Sequence, residues 1–381
     1  MSHVVVAPCA MKGALSARAI ADIVCAAFAQ VAPDVETRSL PIADGGEGTI
    51  DALRDTGRVV RVPTQDLKGR ACEAPVLFSD DGTRALIECA SVIGLPLVDE
   101  AARDPRRYGS GALAPLIAFA IARGARHVAL AIGGTATVDG GLGLLSALGA
   151  RVVRADGARV PPAGVGLLGD IAHVDLAPAR ARLAAVTLTA LVDVRVPLTG
   201  ARGARLFMEQ KGVDAALADD LDDGLARFAR AIERDDLARA AGAGAGGGLG
   251  FAALLLANRL PHAVLTSGAE HVLSTLDVDR HLAGASLVVT AEGRFDGQTA
   301  EGKALSALAA RASKAGVPVC ALVGERVEGA PRIPGLTTVL SIARGPMSRA
   351  DMLRDAAALV DESARELAAL HAHARTREDH A

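Results

Sequence analysis

Aromatic residues are scarce: they make up 2% of the 381 residues, with no tryptophan and a single tyrosine. Platforms for stacking unpaired bases are therefore missing, and a formal net charge of −3 leaves no basic footprint for nucleic acid. No apolar run reaches the 18 or so residues that argue for a membrane span. The five cysteines, at 9, 25, 72, 89 and 320, include no close CxxC pair, so neither a zinc site nor a disulfide framework is expected. Cys25, Cys89 and Cys320 sit in apolar runs and read as core. The opening MSHVVVAPCAMK enters a strand almost at once and lacks a signal-peptide layout, so a cytoplasmic location is expected. The first turn, APCAMKG, has no GxGxxG, which disfavours dinucleotide chemistry.

Glycine, by contrast, is plentiful at 41 residues, and half the chain is hydrophobic. This is a folded chain whose core is packed with small aliphatics, long enough for two domains. Residues 287–303, LVVTAEGRFDGQTAEGK, form its organising stretch. The apolar, β-branched 287–290 predicts a buried strand, and the residues after Lys303 predict a helix. Between them lie Glu292, Arg294, Asp296 and Gln298 among glycines. A strand ending in acids, glycines and a lysine is where an α/β sheet presents chemistry. Asp296 suits a divalent metal or a proton, and Lys303 suits a phosphate near a helix start. An ordinary polar loop is the competing reading.

Other loops repeat the layout. Lys12 lies in the first strand-to-helix turn, where a lysine can reach a phosphate or carboxylate. Asp44 and Glu47 bracket glycines in ADGGEGT; with no lysine after the glycines this is not the GxxxxGK nucleotide loop, and the pair suits magnesium or a polyhydroxy ligand. Glu88 ends an apolar strand and needs a partner, for which Arg103 is the candidate; Arg103, Arg106 and Arg107 also suit an anionic substrate. Strand 127–132 runs into GGTATVDGG, where Gly133 and Gly134 open the backbone, Thr135 and Thr137 bring hydroxyls and Asp139 a carboxylate, the best candidate for nucleotide phosphates. Residues 151–170 read as loop. Asp193, ending strand 186–191, is a candidate general base or metal ligand. The glycine-rich 241–250 reads as a close backbone approach to a ligand or a neighbouring helix. Alternating strands and helices indicate parallel α/β architecture, with one domain combining both chain ends and the middle inserted: 1–60 plus 285–381, and 61–284.

The ordered set APCAMKGALSA at 7–17, PIADGGEGT at 41–49, RDP at 103–105, IGGTATVDGG at 132–141, QKG at 210–212, GAGAGGGLG at 242–250 and EGRFDGQTAEGK at 292–303 resembles the glycerate kinase type 1 family over nearly the whole chain. The resemblance implies a two-domain α/β fold of that type, with a Rossmann-like domain built from both chain ends, a second α/β domain inserted in it and a cleft between them. It also implies an ATP- and Mg2+-dependent enzyme that phosphorylates D-glycerate, with 2-phosphoglycerate as the product associated with the bacterial forms. Chemistry then suggests roles for the residues that match its motifs. Asp193 is read as the base, Lys12 or Lys303 as the group that meets the γ-phosphate and Arg103 or Arg294 as the clamp on the acid's carboxylate, with Arg195 and Asp44 as further contacts to the acid; Gly133, Gly134, Thr135, Thr137 and Asp139 as the ATP-phosphate loop; and Asp296 with Glu47 as metal ligands.

Departures from the family pattern bear on the acceptor. Many members read PDSFK or PDSYK where this chain reads Pro8, Cys9, Ala10, Met11, Lys12, so an acid and a hydroxyl are missing. The asparagine of GGSATNDGG is Val138, and CDVTNPL becomes 192–198, VDVRVPL, which introduces Arg195. Another small hydroxy or sugar acid, or a catalytically degenerate metabolite-binding relative, are the alternatives. The expected partner is a small molecule, with neither nucleic acid nor membrane; a homodimer is left open.

Overall fold

The computed structural model describes residues 2–159, 168–257, 261–297 and 303–378. Its strands are β1 (His3–Val6), β2 (Glu36–Ser39), β3 (Arg58–Gln65), β4 (Ala71–Phe78), β5 (Arg84–Glu88), β6 (His127–Ala131), β7 (Arg151–Arg154), β8 (Ile171–Asp175), β9 (Thr187–Val192), β10 (Leu265–Ser267), β11 (Ala285–Phe295), β12 (Val319–Arg326) and β13 (Thr338–Ser341). Contacts divide the chain into two compact units. One comprises Met1–Asp44, Asp51–Leu53 and Ala269–Ala381; the other comprises Gly45–Ile50 and Arg54–Gly268. The inserted unit thus starts at Gly45 rather than near 61, because β3 pairs with β4 and the turn before it is bonded to β6. It ends at Gly268 rather than near 284, because the helix beginning there is counted with the chain ends.

The unit formed by the chain ends holds a five-stranded sheet in the order β13-β12-β11-β1-β2, parallel throughout. β1 is buried along its length, as a strand covered on both faces must be. On one face Val4 and Val6 pack with Ile20, Val24 and Phe28 of helix Ala17–Val31 and with Leu359, Val360 and Leu367 of helix Arg349–Glu378. On the other, Phe295, Ala321 and Val323 meet Leu305 and Ala309 of helix Ala304–Lys314. Ser16 starts the first of these helices, its hydroxyl accepting from Ala19 N at 3.1 Å. From β1 the chain moves outward to β2, and from β11 it moves the other way to β12 and β13. The crevice between the carboxyl ends of β1 and β11 is therefore the switch point at which such sheets bind ligands.

The inserted unit has a six-stranded sheet in the order β10-β9-β6-β5-β4-β3. β3, β4 and β5 are antiparallel, while β5, β6, β9 and β10 run parallel, so the last four present their carboxyl ends on one edge. Two details differ from expectation. Residues 151–154 form β7, paired antiparallel with β8, where a loop was read; residues 160–167 of that stretch lie outside the described residues. β11 continues through Glu292 and Arg294 to Phe295, so these polar residues lie on the strand rather than after it, held in register by β12. Among the described residues, no helix is long and apolar enough to cross a membrane.

Candidate active site

In the unit of the chain ends, the turn after β1 is stitched to its neighbours. Cys9 N donates to Ala291 O at 2.9 Å and Ile42 N to Pro8 O at 2.9 Å. This brings the β1 turn beside the ends of β2 and β11, at the switch point. Burial pushes the Cys9 thiol well above its ordinary pKa; Glu292 and Asp44 push it further up, and Lys303 and Lys12 oppose them. Two carboxylates and two ammonium groups thus surround one half-buried thiol, which stays protonated at neutral pH. Lys12, Asp44 and Lys303, expected at the site, are gathered here. Glu292 joins them, whereas Arg294 is mostly exposed and pairs with Asp296 at 3.5 Å and Glu325 at 3.8 Å. The remainder of that motif, including Gln298 and Gly302, lies outside the described residues.

In the inserted unit, the turn carrying Glu47 is pinned from two sides. Gly133 N donates to Gly45 O at 3.2 Å, and a Cβ on Gly133 would fall 2.8 Å from Gly46 Cα, so only glycine fits. Glu88, at the end of β5, accepts from Ile50 N at 3.0 Å and from the backbone of Gly48 and Thr49. The expected pairing of Glu88 with Arg103 is therefore corrected: backbone amides supply the partners, and burial still raises the Glu88 pKa. Glu47 itself is exposed on this turn, beside Gly134.

The loop after β6 is held by a dense set of hydrogen bonds. Asp139, 1% exposed, accepts from Ser110 N at 2.8 Å, Ser110 Oγ at 2.8 Å, Gly141 N at 3.0 Å and Gly143 N at 3.1 Å. Its carboxylate is spent on holding the loop, so a direct bond to a ligand, as expected for it, would have to displace one of these donors. Lys211 Nζ donates to Thr137 O at 2.8 Å. From the far side, Gly140 N donates to Gly247 O at 3.0 Å. Gly246, Gly247 and Gly248 have φ of 63°, 68° and 97° and break the helix Ala245–Ala257 against this loop, so the close approach is to a loop rather than to the ligand or neighbouring helix that the glycine run suggested. Within this frame the hydroxyls of Thr135 and Thr137 are buried and have no hydrogen-bond partner. Buried hydroxyls left in that state call for an acceptor or donor from outside. Gly133 and Gly134 stand at the mouth of the same loop, partly and fully exposed.

Asp193 follows β9, and Ser267 of the adjacent β10 donates to its Oδ1 at 3.2 Å. Arg195, two residues on, is exposed. Arg103 Nη1 donates to Gln210 O at 3.0 Å, while its Nε is buried without a partner. Ser110, Lys211 and Ser267 were not singled out from the sequence as site residues; only the QKG motif at 210–212 flagged one of them. Among the described residues no three His, Cys, Asp or Glu side chains are grouped to hold a metal. The donors present are single carboxylates at strand ends, which suits a magnesium held mainly by phosphates and water rather than by a protein cage.

Known proteins are similar to this chain in sequence and in fold. The profile of the Glycerate kinase family matches residues 4–372. A glycerate kinase of Bacillus cereus is 34% identical over 375 residues, covering 96% of this chain and 97% of that protein. A glycerate 2-kinase of Escherichia coli is 35% identical over 347 residues, with 89% and 90% covered. A crystal structure from Salmonella typhimurium, provisionally named glycerate kinase 2, superposes with a TM-score of 0.80 at 36% identity, covering 98% of this chain and 99% of that one. By sequence along its length and by fold, the chain belongs to the glycerate kinase family.

Proposed function

We propose that the protein transfers the γ-phosphoryl group of ATP to D-glycerate and releases 2-phosphoglycerate. The observation that carries this reading is the switch-point cluster, where Lys12 and Lys303 stand with Asp44 and Glu292 around Cys9. Two ammonium groups and two carboxylates that all act on one thiol match what phosphoryl transfer needs: neutralisation of charge on the transferred group and a fixed acceptor. Membership of the family supports the acceptor, and the name glycerate 2-kinase carried by the Escherichia coli relative supports the 2-position.

The chain's own groups divide the work by their chemistry. Thr135 and Thr137 offer buried hydroxyls to ATP phosphates, beside the open backbone of Gly133 and Gly134. Asp139 serves that loop from behind. The free Nε of Arg103 suits the glycerate carboxylate, with exposed Arg195 as a further contact. Asp193, oriented by Ser267, takes the acceptor hydroxyl's proton. Asp296 and Glu47 are carboxylates suited to magnesium, as are Asp44 and Glu292. When bound, the ion would neutralise charge on the phosphates. Cys9 and Ala10 favour a second reading of the acceptor, since a protonated thiol and a methyl line a place where many relatives carry an acid and a hydroxyl: another small hydroxy acid is then phosphorylated.

A coupled ADP-release assay with magnesium, offering D-glycerate beside L-glycerate, glycolate, tartronate and aldonates, tests both readings, and NMR of the product separates 2- from 3-phosphoglycerate. Asp193→Asn is expected to lower kcat by about 100-fold or more while ATP affinity changes little. Near-normal turnover of that variant removes Asp193 from the base role.

A further inference from the structure

Lys211 is the one lysine or arginine that is buried among the described residues, at 4% exposure. Burial pushes its pKa down to about 8, and the pull of Asp139 opposes this only in part. A buried ammonium is costly, and a neutral side chain would fill the same space without that cost. Its ammonium donates to Thr137 O, on the residue whose hydroxyl is buried and unpartnered. Fixing that carbonyl also fixes the Val138 N–H, which a planar trans peptide points the opposite way. The segment carrying Lys211 is held just as closely to Arg103. Gly212 has φ +81°, a Cβ there would lie 2.3 Å from Arg103 O, and Arg103 Nη1 donates to Gln210 O. Three consecutive residues thus touch both the Arg103 segment and the Thr135 and Thr137 loop.

We infer that Lys211 is a positioning residue: through the Thr137 carbonyl it sets the loop's hydroxyls for the nucleotide phosphates, and its ammonium supplies a fixed positive charge behind them. The inference rests on the kinase reading above. The charged groups beside Lys211 are Asp139 on the loop and Arg103, bonded to the neighbouring Gln210. Asp139 is locked by four donors and does not leave. Loss of the Lys211 proton therefore removes positive charge from beneath the phosphates without a compensating change.

The test uses the full chain as wild type, Lys211→Met and Lys211→Arg. With D-glycerate saturating, the wild-type KM for ATP is expected to rise about five-fold or more between pH 7 and pH 9.5, with kcat changing by less than about two-fold. Lys211→Met is expected to show a raised KM at pH 7 that no longer varies with pH. Lys211→Arg, whose charge does not titrate here, is expected to recover a low KM at pH 7 and keep it at pH 9.5. A merely structural lysine would lower stability in both variants and leave no pH-dependent KM to abolish. A wild-type KM that stays flat overturns the inference, as does a folded Lys211→Met protein that keeps both the wild-type KM and its alkaline rise. Should the variants fail to fold, the wild-type profile alone decides. Should the wild type phosphorylate none of the acids offered, the kinase reading falls. Calorimetric titration with ATP over the same pH range then decides for Lys211: affinity lost above pH 8 supports it, and flat affinity or no binding overturns it.

Discussion

Asp139 and Lys211 show how single residues hold a loop that carries no regular structure of its own. Asp139→Ala would leave Ser110, Gly141 and Gly143 with buried donors and nothing to receive them, and is expected to cost about 3 kcal/mol or more, read from urea unfolding. Lys211 acts on stability in the opposite sense with pH. Its folded pKa of about 8 lies below the ordinary 10.5, so between those values the unfolded chain holds a proton that the folded protein has released. Stability contributed by this residue therefore rises with pH across that window, and the cost of the buried charge is fully present below it. Urea midpoints at pH 7.5 and 9.5 check this: the wild type gains relative to Lys211→Met as the pH rises. Stability and nucleotide affinity should then move in opposite directions over the same interval.

Among the elements, the broken helix Ala245–Ala257 has the sharpest steric requirement. A Cβ on Gly247 would lie 2.0 Å from Thr137 O, at a φ that side chains rarely adopt. Gly247→Ala is expected to cost about 3 kcal/mol and to displace the Thr137 peptide, checked by urea unfolding and by faster amide exchange confined to residues 135–140. At the other end of the scale, Ser16→Ala removes one cap and is expected to cost about 1 kcal/mol. The glycine run was legible beforehand by its density. β2 and β7 were not. β2 reads ETRS and has no apolar pattern to mark it, since an edge strand needs no apolar face. β7 reads RVVR, too short for any period to show. The site divides in the same way. Strand-end acids and glycines stood out locally, whereas the bonds of Glu88, Ser110, Ser267 and Lys211 join residues 29 to 74 positions apart and leave no local mark.

For the molecule as a whole, the pairing of β1 with β11 sets the order of assembly. His3 faces Ala285 across the entire inserted segment, so the sheet of the chain ends must close a loop of that length before it gains its central contact. The inserted sheet closes over shorter spans. In refolding followed by pulsed hydrogen exchange, amides of β5, β6 and β9 are expected to gain protection before those of β1 and β11; the reverse order would show that the end unit nucleates without its closing strand. The scarcity of aromatic residues has a practical consequence at this scale. With no tryptophan and one tyrosine, Tyr108, all tyrosine emission arises from a single buried ring two residues before the serine that grips Asp139. The protein carries a built-in optical reporter of the residue that anchors the loop after β6, and one tryptophan introduced anywhere else would report on that place alone.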